Sequence, residues 1–163
     1  MQPITLFKFH ENCEISLWKV VNDSVMGGIS ESKINLNIKH HGSFEGMVSL
    51  ENNGGFCSVK YAFEPIILDK NKMICLYIKG DGKIYQFRLK NSKSDSHSYI
   101  YSFETNGDWQ NIEIPITEFQ PYFRGRKLDL PNYDGSNLEE IAFLIGNKKR
   151  EHFELLIDQI LIK

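Results

Sequence analysis

Lys33-Ile34-Asn35-Leu36-Asn37-Ile38-Lys39 alternates apolar and polar side chains without a break. A period of two puts Ile34, Leu36 and Ile38 on one face of an extended chain, the pattern of a strand buried on one side. Ser43 to Leu50 reads as its partner strand, and Asn52-Asn53-Gly54-Gly55 ends that strand with a strong turn signal. Phe56 to Phe63 resumes extended structure, and Lys72 to Lys79 is a denser apolar run of the central-strand type. Gly80-Asp81-Gly82 then reads as a hairpin turn into Lys83 to Lys90, where Tyr85, Phe87 and Leu89 share one face and Gln86 and Arg88 the other.

The same spelling continues to the end of the sequence. After a polar loop from Asn91 to Ser98, Tyr99, Tyr101 and Phe103 alternate. Asn106-Gly107-Asp108 turns the chain toward Trp109, Ile112, Ile114 and Ile116. Ile141 to Ile145 and Phe153 to Ile162 complete the set. Helix is confined to one short turn at Ser136-Asn137-Leu138-Glu139-Glu140, where Ser136 and Glu139 have capping-box spacing. About eight to ten short strands between turns predict an all-β chain, an antiparallel β-sandwich or jelly roll. No repeat, low-complexity tract or linker interrupts it, and the length suits one core, so a single domain over residues 1–163 is expected.

The charge balance is 19 Lys plus Arg against 21 Asp plus Glu, a formal −2, which does not point to nucleic acid or an acidic membrane surface as partner. The first ten residues have neither the basic-then-apolar order of a signal peptide nor the Arg-rich amphipathic spelling of a transit peptide. Apolar runs such as Met73 to Ile78 are too short to span a bilayer. Cys13, Cys57 and Cys75 form an odd set without CxxC spacing, so free thiols and a cytoplasmic location are expected. The Asn22-Asp23-Ser24 sequon is discounted because no secretion signal is evident.

Catalytic spellings are missing. His10, His40, His41, His97 and His152 fall in no zinc-ligand spacing, and His40-His41 reads as an exposed turn. Gly80-Asp81-Gly82-Lys83 opens no helix and so cannot cradle phosphate as a helix terminus does. Cys57 has no cationic neighbour in sequence to activate it and reads as a small buried strand residue. Glu139-Glu140 suits a helix start, and Asp158 alone does not make a calcium site. The expectation is a chain that is not an enzyme and holds no metal or cofactor.

Candidate binding residues fall in three places. In Trp18 to Ser30, Asn22, Asp23 and Ser24 suit local side-chain turns, Gly27-Gly28 permits positive φ or close backbone approach, and Met26 stands among them as an apolar plug. This stretch is either a well-built turn between strands or a shaped loop surface. Arg124-Gly125-Arg126-Lys127 is a basic cluster in what reads as a long exposed connection, either solvated or able to fork onto carboxylates, carbonyls or phosphates. Arg88 lies on the polar face of an interior strand, where a positive face would mark a groove.

Taken in order, these elements resemble the complex I intermediate-associated protein 30 (CIA30) family. The resemblance is carried by Trp18 with Asn22 to Ser30, Phe44-Glu45-Gly46, Asn52 to Val59, Lys79 to Tyr85, Trp109 with Ile114-Pro115 and Phe119, and Arg124-Gly125-Arg126. It implies a galactose-binding-like β-sandwich. It further implies a chaperone that helps build membrane-arm intermediates of respiratory complex I, here a compact bacterial-type member because no transit extension is evident. On this reading the chain is a non-catalytic binding protein with a protein partner and peripheral membrane association. Asn22, Asp23, Met26, Gly27, Gly28 and Ser30 would shape one loop surface, Gly54, Gly55 and Phe56 would pack against it, and Arg124 and Arg126 would anchor the partner. The alternative is a carbohydrate or another small polar ligand on the sheet face, held by Arg88 and Gln86 with Trp109 or Tyr99 as a stacking plate.

Overall fold

The computed structural model describes residues 2–163, apart from the side chains of Val25 and Met26. The alternating segments become strands, and shorter strands that the sequence did not announce join them: β1 (Ile4–Lys8), β2 (Lys19–Val20), β3 (Glu31–Leu36), β4 (Gly42–Val48), β5 (Cys57–Ile66), β6 (Met73–Lys79) and β7 (Ile84–Lys90). β8 (Ser98–Glu104), β9 (Trp109–Pro115), β10 (Gln120–Phe123), β11 (Arg126–Lys127), β12 (Leu138–Ile145) and β13 (Glu151–Ile162) follow. All pairings are antiparallel. The first sheet runs β3-β4-β13-β6-β9, with β1 also on β13; the second runs β11-β10-β8-β7-β12-β5-β2.

The two sheets bury one core between them, as the expected sandwich requires. Ile74, Leu76 and Ile78 of β6 and Phe153, Leu155 and Ile157 of β13 face Tyr85, Phe87 and Leu89 of β7 and Ile141, Phe143 and Ile145 of β12, all buried. The Tyr85 and Phe153 rings meet edge to face across the gap, 6.3 Å between centroids. The two-residue period read from sequence is therefore the inward face of each strand. The fold is an antiparallel β-sandwich of jelly-roll type.

Three local expectations change. Gly80-Asp81-Gly82 is not a hairpin turn, because β6 pairs with β9 and β13 in the first sheet whereas β7 pairs with β8 and β12 in the second. The segment carries the chain from one sheet to the other, and Gly80 lies against Thr105, where the chain crosses back between β8 and β9. Asp81 ties the crossing together by accepting the Tyr85 hydroxyl at 3.0 Å from one sheet and the Glu154 N–H at 2.8 Å from the other.

Ser136 to Glu140 forms no helix. Ser136 N–H donates to Asp134 in a local turn, and β12 begins at Leu138, so Glu139 and Glu140 are strand residues. Ile38, expected beside Ile34 and Leu36, is 93% exposed. β3 stops at Leu36 because Asn37 Oδ1 accepts the N–H groups of Lys39 and His41 and folds the chain into a turn. Helical structure among the described residues is limited to short 3-10 turns.

Candidate functional site

The loop from Asn22 to Ser30 enters a 3-10 turn over Asp23–Met26 and leaves it through Gly27 at φ 87°. That turn directs Asp23 inward, where it is 1% exposed. Oδ1 accepts the Ser30 N–H at 3.0 Å. Oδ2 accepts the Ser30 hydroxyl at 2.5 Å, the Gly55 N–H at 2.6 Å and the Phe56 N–H at 3.3 Å. Burial pushes the carboxyl pKa up, but these donors outweigh burial and hold it below its ordinary value.

The hub extends one step further on each side. Ser30 Oγ accepts the Ser49 N–H at 2.8 Å. Asn22 Oδ1 accepts the Ser32 hydroxyl at 2.7 Å and the Ser58 N–H at 3.4 Å. A Cβ on Gly28 or on Gly54 would stand within 3.0 Å of the Asp23 carboxyl, so both positions must lack one. The two glycine loops meet as expected, yet they do so by aiming their polar groups at one another. Asp23 and Ser30 are buried in the joint and present no surface, whereas Gly27 is exposed. The placement of the Met26 side chain lies outside the described residues. Ser32, Ser49 and Ser58 belong to the joint but carry no local sequence signal, since their partners are distant in the chain.

The basic cluster is tighter than a long connection. Phe123 of β10 pairs with Arg126 of β11, which leaves a two-residue turn with Arg124 at φ 50° and Gly125 at φ 77°. Two consecutive positive φ values are the signature of the turn that suits strand twist. Arg124 and Arg126 are exposed, and neither guanidinium has a hydrogen-bond or ion-pair partner among the described residues. Arg124 lies over the Phe123 ring, 5.4 Å from its centroid.

Arg88 points outward from β7, the middle strand of the second sheet. Its Nε and Nη2 donate to Gln86 Oε1 at 3.0 and 2.8 Å, and burial pushes its pKa down to about 10. Trp109 is elsewhere: on β9 in the first sheet, it stacks on Tyr77 at 5.0 Å and meets His41 at 4.5 Å. His41 is accordingly half-buried, with Nε2 3.4 Å from Asp158, and is not a free turn residue. Tyr99 faces the core. The plate proposed beside Arg88 is thus supplied by neither ring; Tyr122, on the Arg88 face by register, is the aromatic residue in that neighbourhood.

The predicted set does not form one patch. The Asp23 joint lies at the β2–β5 side of the second sheet and the arginine hairpin at the other edge, with Arg88 between them. Four strand spacings separate β10 from β5, about 19 Å. Cys57 is fully buried, and burial pushes its thiol up to about 11, which leaves it protonated and unsuited to nucleophilic attack. Among the described residues, no three His, Cys, Asp or Glu side chains converge as a metal site would require.

The chain is a jelly roll with two glycine loops pinned to a buried aspartate and with exposed arginines on one sheet. The chain belongs to the complex I intermediate-associated protein 30 (CIA30) family, whose model matches residues 7–157. It is 29% identical to an uncharacterised Schizosaccharomyces pombe protein, C9E9.15, an alignment that covers 96% of this chain and 82% of that one. In structure it is similar to the family 11 carbohydrate-binding module of the cellulosomal cellulase Lic26A-Cel5E of Clostridium thermocellum, with TM-score 0.72 and 20% identity over 99% of this chain and 94% of the module. A family 11 carbohydrate-binding module from Clostridium thermocellum in complex with a β-1,3-1,4-mixed-linked tetrasaccharide superimposes with TM-score 0.70 and 20% identity, covering 98% of this chain and 94% of that one. An agarase, AgWH50C, matches all of this chain over 24% of its own length, with TM-score 0.63 and 13% identity.

Proposed function

We propose that this chain is a non-catalytic binding protein that serves the assembly of respiratory complex I, as the family description implies. The observation that carries the reading is the β10–β11 hairpin. A rigid two-residue turn holds Arg124 and Arg126 in solvent with nothing inside the described chain to pair with. Arginine on a fixed scaffold is favoured at protein interfaces because its fork binds carboxylates and carbonyls at low ordering cost. The Asp23 joint supports the same division of labour by fixing the scaffold from within. The chain would meet a membrane complex from its periphery; among the described residues no helix is long and apolar enough to cross a bilayer.

The test is affinity capture of the tagged protein from detergent-solubilised native cells, wild type beside Arg124→Ala/Arg126→Ala. Respiratory-complex subunits co-purify with the wild type and are lost with a variant of unchanged melting temperature. Wild-type capture free of those subunits removes the assembly role. A second reading, a carbohydrate ligand, is supported by Arg88 and Gln86 facing outward on a fold whose bacterial likeness holds a tetrasaccharide. A panel of neutral sugars at millimolar concentration raises the melting temperature on that reading and leaves it flat otherwise.

A further inference from the structure

Arg88 is a cation without a counter-charge. Its register neighbours are Ile100 on β8 and Ala142 on β12. The next positions outward are Gln120 on β10 and Lys60 on β5, so the row across the sheet reads Gln120-Ile100-Arg88-Ala142-Lys60 and contains no acid. In the adjacent row Glu140 lies 3.8 Å from Lys60, and the Lys90 ammonium donates to the Asp95 carbonyl at 2.7 Å.

Gln86 holds Arg88 without neutralising it. A guanidinium has five N–H donors in a planar fork. Nε and Nη2 share the single Gln86 oxygen, which fixes the side edge and leaves the parallel N–H pair at the end, on Nη1 and Nη2. Among the described residues, the buried polar atoms without a partner are on Trp18, Asn91 and Glu151. The Nη1 end of Arg88, which has no partner either, is therefore not sealed inside the protein. A half-buried charge that no acid balances lowers stability, and such a group marks a place where a ligand completes the pairing.

We propose that the free end of the Arg88 guanidinium is a carboxylate-binding subsite at the centre of the outer face of the second sheet. It rests on the binding-protein reading and names the chemistry of one face. Two carboxylate oxygens match the parallel N–H pair in plane and spacing. One fixed cation balances one negative charge. A phosphate dianion would draw a second cation, and the two lysines of this face are held in other directions, Lys60 toward Glu140 and Lys90 on the Asp95 carbonyl. The carboxylate belongs either to a free organic acid or to an acidic side chain of a bound partner; the recognition is the same.

The experiment titrates the purified chain with D-galacturonate, with N-acetyl-glutamate amide and with inorganic phosphate at fixed ionic strength. It reads melting temperature and heat of binding for wild type, Arg88→Lys and Arg88→Gln. A carboxylate probe binds wild type saturably, and Arg88→Gln weakens it roughly tenfold or more. Without ligand, Arg88→Gln melts at or above the wild-type temperature, because it removes an unbalanced charge. Binding of galacturonate alone assigns a free sugar acid, and binding of the glutamate derivative alone assigns a partner side chain. Three results overturn the subsite: no carboxylate binding, equal binding by Arg88→Gln, or phosphate binding tighter than either carboxylate. A fall of several degrees in unliganded Arg88→Gln makes Arg88 a structural residue and overturns it as well. Failure of this titration with partner capture intact removes the subsite and keeps the assembly role; the opposite pair of results does the reverse.

Discussion

A carboxylate that is 1% exposed persists as an anion only if donors surround it, and Asp23 has both oxygens occupied. Asp23→Asn keeps the shape but turns one accepting oxygen into a donor that faces the Gly55 and Phe56 N–H groups or the Ser30 donors. The expected cost is about 2–4 kcal/mol, read by urea denaturation. The pH dependence follows from the direction of the shift. The folded carboxyl titrates below the ordinary value of 3.8, so its contribution is complete above that pH and is withdrawn as the pH falls through the lowered folded value. Wild type therefore loses stability more steeply below pH 3.8 than Asp23→Asn does, and the two curves converge in acid. Parallel curves down to the acid limit would show that Asp23 is not the titrating group. The sequence singled out Asp23 and Ser30 in one glycine loop and Gly54-Gly55 in another that packs against it. It did not show which way Asp23 points, because that is set by Gly55 and Phe56, more than thirty residues away.

At the scale of the element, the glycines are required for closeness more than for φ. Gly54 sits at an ordinary φ of −74°, yet a Cβ there would collide with the Asp23 carboxyl. Gly54→Ala is expected to cost about 1–3 kcal/mol in wild type by overpacking. In an Asp23→Gly background the same alanine costs under about 1 kcal/mol, because the carboxyl it strikes is gone and only the Glu51 carbonyl, 3.0 Å away, remains close. Equal costs in the two backgrounds, measured by chemical denaturation, would place the strain elsewhere. Strand periodicity was legible in the sequence where a strand buries one face, as β7 and β13 do, and those boundaries held to within a few residues; β2 and β11, short and exposed, carry no such pattern. Turn chemistry was less informative. Gly80-Asp81-Gly82 has hairpin spelling, but the same glycines serve a crossing between sheets, and only the pairing of β6 with β9 and β13 distinguishes the two. The Ser136-x-x-Glu139 spacing likewise matches a helix start, yet Leu138 pairs with Ile66 and the extended chain wins through the sheet.

Across the whole molecule, the joint and the arginine hairpin lie at opposite sides of one sheet, so the proposed function separates stability from partner capture. Arg124→Ala/Arg126→Ala removes two exposed side chains and one cation–π contact over Phe123, and leaves Arg124's positive φ to another L residue at similar strain. Its stability loss is expected to stay under about 1 kcal/mol. Sites at opposite edges of one sheet with no shared partner add, so Asp23→Asn combined with the arginine pair is expected to cost the sum of the separate losses within about 0.5 kcal/mol. Capture divides the other way. Asp23→Asn, assayed well below its melting temperature, retrieves the same subunits as wild type, whereas the arginine variant retrieves none at nearly full stability. Urea denaturation of the four chains, with capture from matched lysates, reads both quantities. Loss of capture in folded Asp23→Asn would mean that the buried joint also shapes the surface a partner touches, through the exposed residues Ile29 and Leu50 that flank it. Capture retained by the arginine variant would move the interface off the hairpin and leave the central sheet face around Arg88 as the place to look.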